Sequence, residues 1–386
     1  MMLRISLAVA ALLAAGSPIA AQEQPYPSRQ IELVVPFPAG GGADVSARMV
    51  AQIAGDSLGQ PVVIQNKGGA TGAIGSEYVA RATPDGYTLL LATGSTHAVL
   101  PAYRTDLPYD TVTSFAPATL VALIPNMLVV NPKKVPVASV AELIKYLKDN
   151  PGKLNFASSG PGSSIHFAGE LFKLMTQTQM THVSYRGSAP ALNDLLAGSV
   201  DLIFDNMPVV WPQVQQGNLR ALGVASLERT PLAPQVPAIA ESLPGFEAVS
   251  WVGIVAPAGT PPAIVDKISQ AFGAAVLRPE ITSRLQELGY TPARNTPAEF
   301  TQFIRDDRAQ MAARRARGEP VGKVTSRHCC WSTGISWRTR AIEERAALPS
   351  TNRWAGAKTP PSRSWMKTYG SSPPTCCSGK SGRDPG

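Results

Sequence analysis

The apolar positions along the chain fall into two kinds of run. Ile31–Pro36 (IELVVP) is short, unbroken and bounded by proline and glycine, which predicts a strand buried on both faces. Beyond Gly40-Gly41-Gly42 the spacing changes to Val45, Met49 and Ile53, the inward side of a helix with Asp44 near its start. A strand at Pro61–Gln65, a glycine-rich link, a helix at about Ile74–Arg81 and a strand at Tyr87–Ala92 follow. That βαβαβ order predicts a parallel sheet with helices on its faces.

The alternation resumes after an extended stretch, Phe115–Asn131. Ser139-x-x-Glu142 is a capping box that opens a helix ending before Pro151. Strands at Leu154–Ala157, Met180–Tyr185, Leu202–Asp205 and Arg220–Ala225 are predicted, with helices at Ser164–Thr176 and Pro190–Ala197 between them. A proline-studded link from Pro231 to Pro244 leads to a strand at Ala248–Ala256. Helices at Pro261–Gly273, Pro279–Leu288 and Pro297–Arg317 close the pattern. Two α/β units joined by two long extended crossings predict a discontinuous domain, 22–120 with 230–318, that returns after an inserted one, 121–229. The chain has no internal repeat and no heptad run.

Composition matters chiefly through its unevenness. The 386 residues carry a formal net charge of +8, and 44% of them are hydrophobic, which excludes a disordered chain and a multi-span membrane protein. From Pro320 onward there are 11 Lys/Arg and 3 Asp/Glu, so the preceding residues hold 24 of each sign and no net charge. The same tail holds all four cysteines (Cys329, Cys330, Cys376, Cys377). Its paired cysteines lack zinc-knuckle spacing, and its basic residues are too sparse for a nucleic-acid arm. Residues 319–386 are therefore expected to be an aberrant segment, disordered or produced by a reading-frame shift, and their deletion is expected to leave ligand binding intact. At the other end, Arg4, the apolar stretch Ile5–Ala15 and Pro18-Ile19-Ala20-Ala21 read as an export signal cleaved near Ala21. The body between is expected outside the cytoplasm and contains no cysteine.

Candidate chemistry clusters at the C-terminal ends of predicted strands, where open parallel sheets place ligands. In Pro36-Phe37-Pro38-Ala39-Gly40-Gly41-Gly42-Ala43-Asp44, glycines let backbone amides approach a ligand at a helix N-terminus, which favours an anion without any cationic side chain. A tight structural turn with Asp44 as cap explains the same residues equally well. Here Gly41 is the position where a branched side chain is expected to obstruct a ligand. Ser158-Ser159-Gly160-Pro161-Gly162-Ser163-Ser164-Ile165-His166 gathers hydroxyls at a second helix start. Ser163 and His166 sit on adjacent turns of one helix and aim poorly at each other as nucleophile and base, so His166 is expected to be a hydrogen-bond donor on the helix surface. Thr93-Gly94-Ser95-Thr96-His97 and Asp205-Asn206 complete the set. Turn chemistry accounts for any one of these, but the four together predict a cleft lined by hydroxyls and amides. Gly69-x-x-Gly72-x-x-Gly75 is only loosely a dinucleotide fingerprint, and His97, His166 and His182 have no metal-ligand spacing with acids.

These residues carry a resemblance. From about Tyr26 to Met311 the chain resembles the Bug family of extracytoplasmic solute-binding proteins, receptor subunits of tripartite tricarboxylate transporters. The landmarks are PFPAGGGAD (36–44), NKGGATGAIGSEYVARATPDGYTLL (66–90), LPYD (107–110), SSGPGSSIHFAGELF (158–172), VSYRGSAPALNDLLAGSVDLIFDN (183–206) and WVGIVAPAGTP (251–261). The resemblance implies an α/β, two-domain periplasmic binding protein of type II fold, with parallel-rich sheets and a ligand cleft between the domains. It implies a small carboxylate, amino acid or aromatic acid as ligand, held by Phe37, Ala39, Gly40, Gly41 and Asp44, then Ser163, Ser164 and His166, with Thr93, Ser95 and Asp205 nearby. It further implies a periplasmic monomer that delivers its ligand to the membrane subunits of such a transporter. Neither cofactor, metal nor nucleic acid is expected. The alternative from another class is a secreted hydrolase or transferase using Ser163 or Ser164 with a histidine.

Overall fold

In the computed structural model, residues 25–316 are described; the export segment and the basic tail lie outside them. The first strand, β1 (Ile31–Val35), runs into a glycine turn and then α1 (Gly42–Leu58). Strand β2 (Val62–Asn66), helix α2 (Ala73–Ala80) and β3 (Thr88–Thr93) follow, and β1 pairs in parallel with both β2 and β3. Apolar residues at consecutive positions of β1 are fully buried because helices cover both faces.

The crossing strand β4 (Phe115–Val130) is the frame of the molecule. Its first part pairs antiparallel with β9 (Val249–Pro257), from Phe115↔Pro257 to Pro125↔Val249. Its second part pairs antiparallel with β7 (Leu202–Asn206), from Asn126↔Asn206 to Val130↔Leu202. The hand-over falls at Pro125, whose missing N–H suits a break in the ladder. Strands β5 (Asn155–Ser158), β6 (Thr181–Ser184) and β8 (Arg220–Val224) complete the second half, and β10 (Thr291–Pro292) adds to β4 in the first. The order is β2-β1-β3-β9-β4-β7-β5-β6, with β8 and β10 also on β4. The sheet is therefore mixed: the parallel arrangement predicted from the βαβαβ order holds for β1–β3 and β5–β7, while β4 and β9 enter antiparallel because they are crossings.

Helices clothe both halves: α4 (Val140–Asp149), α5 (Ser164–Thr176), α6 (Ser188–Ala197) and α7 (Met207–Gln215) in the second, α9 (Pro262–Leu277) and α10 (Pro279–Glu287) in the first. The Ser139 hydroxyl accepts from Glu142 N at 3.2 Å, as the capping box predicts, and the Glu142 carboxylate returns to Ala138 N at 2.8 Å. Helix α7 is absent from the sequence reading because Pro208 and Pro212 disguise it. The turn Ser95–Val99, which winds on into α3 (Leu100–Tyr103), and the short α8 (Ile239–Ser242) were likewise unpredicted. The inward face of α1 also differs: Ala47, Val50, Ala51, Ala54 and Leu58 are buried, whereas Val45, Met49 and Ile53 are half-buried at its rim. Small alanines let the helix lie close against the sheet and α9, and an i, i+4 stripe does not say which of two adjacent stripes faces inward.

The last described helix, α11 (Pro297–Ala316), packs along the back. Phe300 and Ile304 join the cluster around Trp251 and Leu120, while Met311 joins the one around Phe167, Leu171 and Phe204. Among the described residues no helix is long and apolar enough to cross a membrane.

Candidate functional site

Where β4 hands over from one half to the other, the strand ends converge on a single cavity of about 30 Å³. At 10–15 Å³ for each water-sized group, that is about the room one carboxylate head needs. Phe37, Pro38, Gly41, Gly42 and Ala43 line it from the β1–α1 turn, and Thr93 and Ser95 from the end of β3. Ser159, Ser164 and Ile165 line it from the β5–α5 turn, Ser188 from the start of α6, Asn206 from the end of β7, and Ser250 and Val252 from β9. The starts of α1 and α5, one from each half, thus share one cavity. Among these residues there is no Lys, Arg, Asp or Glu.

The two halves are closed on each other around it. Ser164 N donates to the Ser95 hydroxyl at 3.0 Å, and that hydroxyl donates to Ser164 Oγ at 3.3 Å. The Thr71 hydroxyl reaches Pro161 O at 2.9 Å. With Ser95 donating to it, Ser164 Oγ has its own hydrogen free for a ligand. At the start of α1 the first intrahelical bond is Val45 N to Gly41 O, so the amides before it have no helical acceptor.

Of the residues named from sequence, Phe37, Gly41, Thr93, Ser95 and Ser164 lie on the cavity, and the others lie off it, each for a local reason. Ala39 and Gly40 are exposed at the outer side of the turn. Asp44 is 3% exposed and faces its own half. Its carboxylate accepts from Gly40 N (3.0 Å), from Arg48 through Nε and Nη2 (3.0 Å each) and from Asn66 Nδ2 (2.9 Å). Burial by itself would raise this carboxyl, but those donors outweigh it and hold the group below the usual carboxylate range. Asp44 is a brace for the turn.

Ser163 is the N-cap of α5, its hydroxyl accepting from His166 N at 3.1 Å. His166 is half-buried rather than on the surface: its Nδ1 receives Gly162 N–H at 3.3 Å, which leaves the ring hydrogen on Nε2 as a donor, and its ring lies 4.4 Å from His182. Burial, with His182 alongside, pushes its pKa down to about 4, so the ring is neutral at neutral pH. No nucleophile–base pair forms from Ser163 and His166. Asp205 is fully buried behind the wall: its Oδ1 accepts from Ser188 Oγ (2.8 Å) and Asn206 N (2.7 Å).

Gly42, Ala43, Ser159 and Asn206 lay within the named turns without being singled out as ligand contacts, and Ser188 and Ser250 were missed as cavity residues. Asn206 was visible beside Asp205 at the end of β7, but the alternation of a strand does not say which of two neighbours turns towards the cavity. Ser188 lay unnoticed because nothing local marks the start of α6. The glycines of 69–75 serve packing: a Cβ on Gly75 would stand 2.6 Å from Lys67 O. Among the described residues no group of three or more His, Cys, Asp or Glu could hold a metal ion.

A family model described as tripartite tricarboxylate transporter family receptor matches residues 46–315. Protein BugT of Bordetella pertussis is 39% identical over 305 residues, 78% of this chain and 93% of that protein. Among solved structures, R. palustris Rpa4515 with adipate is 38% identical at a TM-score of 0.72, covering 74% of this chain and 95% of that one. MatC from Rhodopseudomonas palustris with bound malate is 32% identical at a TM-score of 0.71, covering 75% and 99%.

Proposed function

Because the chain belongs to the receptor family of tripartite tricarboxylate transporters, we propose that this cavity captures the carboxylate head of a small organic acid by closure of the two halves. The observation that carries it is the meeting of two helix starts, residues 42–43 and 164–165, in one hydroxyl-rich cavity without a cationic side chain. Neutral donors hold an anion and still release it, whereas a desolvated Arg clamp would hold it more tightly. The solved relatives with adipate and malate support the ligand class. Since the closed cavity matches only a head group, the rest of the ligand requires the halves to part and reclose around it.

The proposed hinge is at the two crossings, which moves the boundaries expected near 120 and 230 to about Pro125 and Val249, because Ala233, Val236, Ile239, Phe246 and Ala248 pack in the core of the second half. The ligand contacts are Phe37, Gly41, Thr93, Ser95 and Ser164, with Gly42, Ala43, Ser159, Ser188 and Asn206 added, while Asp44, Ser163, His166 and Asp205 shape the wall from behind. The closed form would present its surface, as a monomer, to transporter membrane subunits in the periplasm after cleavage near Ala21. The family consists of receptors, not enzymes, so the hydrolase or transferase alternative falls.

A thermal-shift screen of the purified chain against di- and tricarboxylates, acidic amino acids and aromatic acids tests the reading. A ligand at a hundred times its Kd adds about 2.7 kcal/mol, a shift of several degrees at this size. A flat response to every class would end it.

A further inference from the structure

The cavity has two walls of opposite hydrogen-bonding sense. On one, Ser164 Oγ–H and the amides at the start of α1 are donors. On the other, Ser188 gives its hydrogen to Asp205 at 2.8 Å, so the oxygen left facing the cavity can only accept. Asn206 stands beside it and spends its Nδ2 on Asn126 Oδ1 at 2.6 Å, which leaves its Oδ1 towards Gly42 as a second acceptor. Ser159 and Ser250 carry hydroxyls that can turn either way.

Asp205 is unusual in its own right. It is fully buried, and its Oδ2 has no partner, although buried polar atoms nearly always find one. Burial pushes its pKa up to about 6 against the pull of Ser188 and Asn206, so it is ionised, and acceptor only, at neutral pH. An asparagine would fill the same space without the burden of a buried charge. What fixes the direction of the Ser188 hydrogen is the oxygen at Oδ1, which Asn206 N–H also requires; a residue without an oxygen there would set that hydrogen free.

We propose that Ser188, with its hydrogen locked by the positioning residue Asp205, selects carboxylic acids that carry a hydroxyl or ammonium group on the carbon next to the carboxyl. The carboxylate meets the donor wall, and the neighbouring O–H or N–H meets Ser188 Oγ. An unsubstituted acid would leave that acceptor dry and unpaired, and sites built to bond a ligand group discriminate strongly against analogues lacking it. This deepens the carboxylate reading above and depends on it.

The test is calorimetric and compares matched acids of equal length: malate and aspartate against succinate, and 2-hydroxyadipate and 2-aminoadipate against adipate. The wild-type protein should bind the substituted member of the better-fitting set about tenfold or more tightly. Ser188→Ala should bring that ratio close to one. Asp205→Leu, which keeps the volume and removes the acceptor, should also collapse or invert the ratio, because the freed Ser188 hydroxyl can then donate, whereas Asp205→Asn, whose oxygen stays held by Asn206 N–H, should preserve it. A purely structural role for Asp205 would weaken all the acids together and leave the ratio intact, which would overturn its assignment. Equal wild-type binding of substituted and unsubstituted partners would overturn the selection by Ser188 while leaving the carboxylate reading in place. Failure of every acid to bind would overturn both.

Discussion

Closure of the two halves can be opposed by one methyl group. Gly42 opens α1 on one side of the cavity, and a Cβ built there stands 3.0 Å from Asn206 Oδ1 and 3.2 Å from Asn206 Cβ on the other side. Asn206 cannot simply swing away, because its side chain is bonded to Asn126 and its N–H to Asp205. Gly42→Ala therefore forces a gap of a few tenths of an ångström into the closed form, and overpacking of that size costs about 1–2 kcal/mol. The open form has no such contact, so the cost falls on binding. At about 1.4 kcal/mol per tenfold, Kd should rise about 5- to 30-fold. Folding stability should hold or improve slightly, since alanine is favoured over glycine in a helix by about 0.5–1 kcal/mol. At Gly41 a Cβ would lie 3.9 Å from Pro38 O and from Ser188 Cβ, an ordinary contact, so it does not oppose closure in this way. Obstruction of closure thus falls on Gly42, while the obstruction of a ligand expected at Gly41 is a separate effect. Calorimetry with the tightest-binding acid, beside a melting curve, reads both quantities. An unchanged Kd for Gly42→Ala with an unchanged Tm would mean that the closed arrangement is not the liganded one.

Other substitutions separate brace from binding surface. Asp44→Ala removes the acceptor shared by Gly40 N, Arg48 and Asn66, and should lower stability by about 2–3 kcal/mol at neutral pH, seen as a reduced denaturant midpoint; retention of the midpoint would show that the turn does not need it. Gly253→Ala would place a Cβ 2.2 Å from the Phe300 ring and 2.9 Å from Thr119 O, so a loss of about 3 kcal/mol or more is expected in thermal melts. Asp307, the acceptor of Trp251 Nε1 at 2.6 Å, has its pKa raised to about 6 by burial. A raised carboxyl contributes stability that is fully present below its unfolded value and is lost as pH rises through the folded one. Wild type should therefore gain up to about 3 kcal/mol relative to Asp307→Asn between pH 7 and pH 4, at about 1.4 kcal/mol per unit. Parallel stability curves for the two proteins across that range would refute it.

The sequence by itself determined the alternation of strands and helices, because short apolar runs between glycines and prolines admit few other readings, and cap residues such as Ser139 and Ser163 act within one turn of their own helix. It also located the two helix starts, since glycines and serines between a strand and a helix are local signals. Only the tertiary structure decided which of those residues face the ligand. Asp44 spends its carboxylate on its own half, whereas Ser188, unremarkable in the chain, and Asn206 are brought to the wall by the packing of α6 on β5 and β7 and the pairing of β7 with β4. Hydrogen-bond direction is likewise decided across distance: it takes Asp205, seventeen residues on, to turn the Ser188 hydroxyl into an acceptor. Periodicity records which residues are apolar, but the direction in which a polar group points depends on partners that only folding supplies.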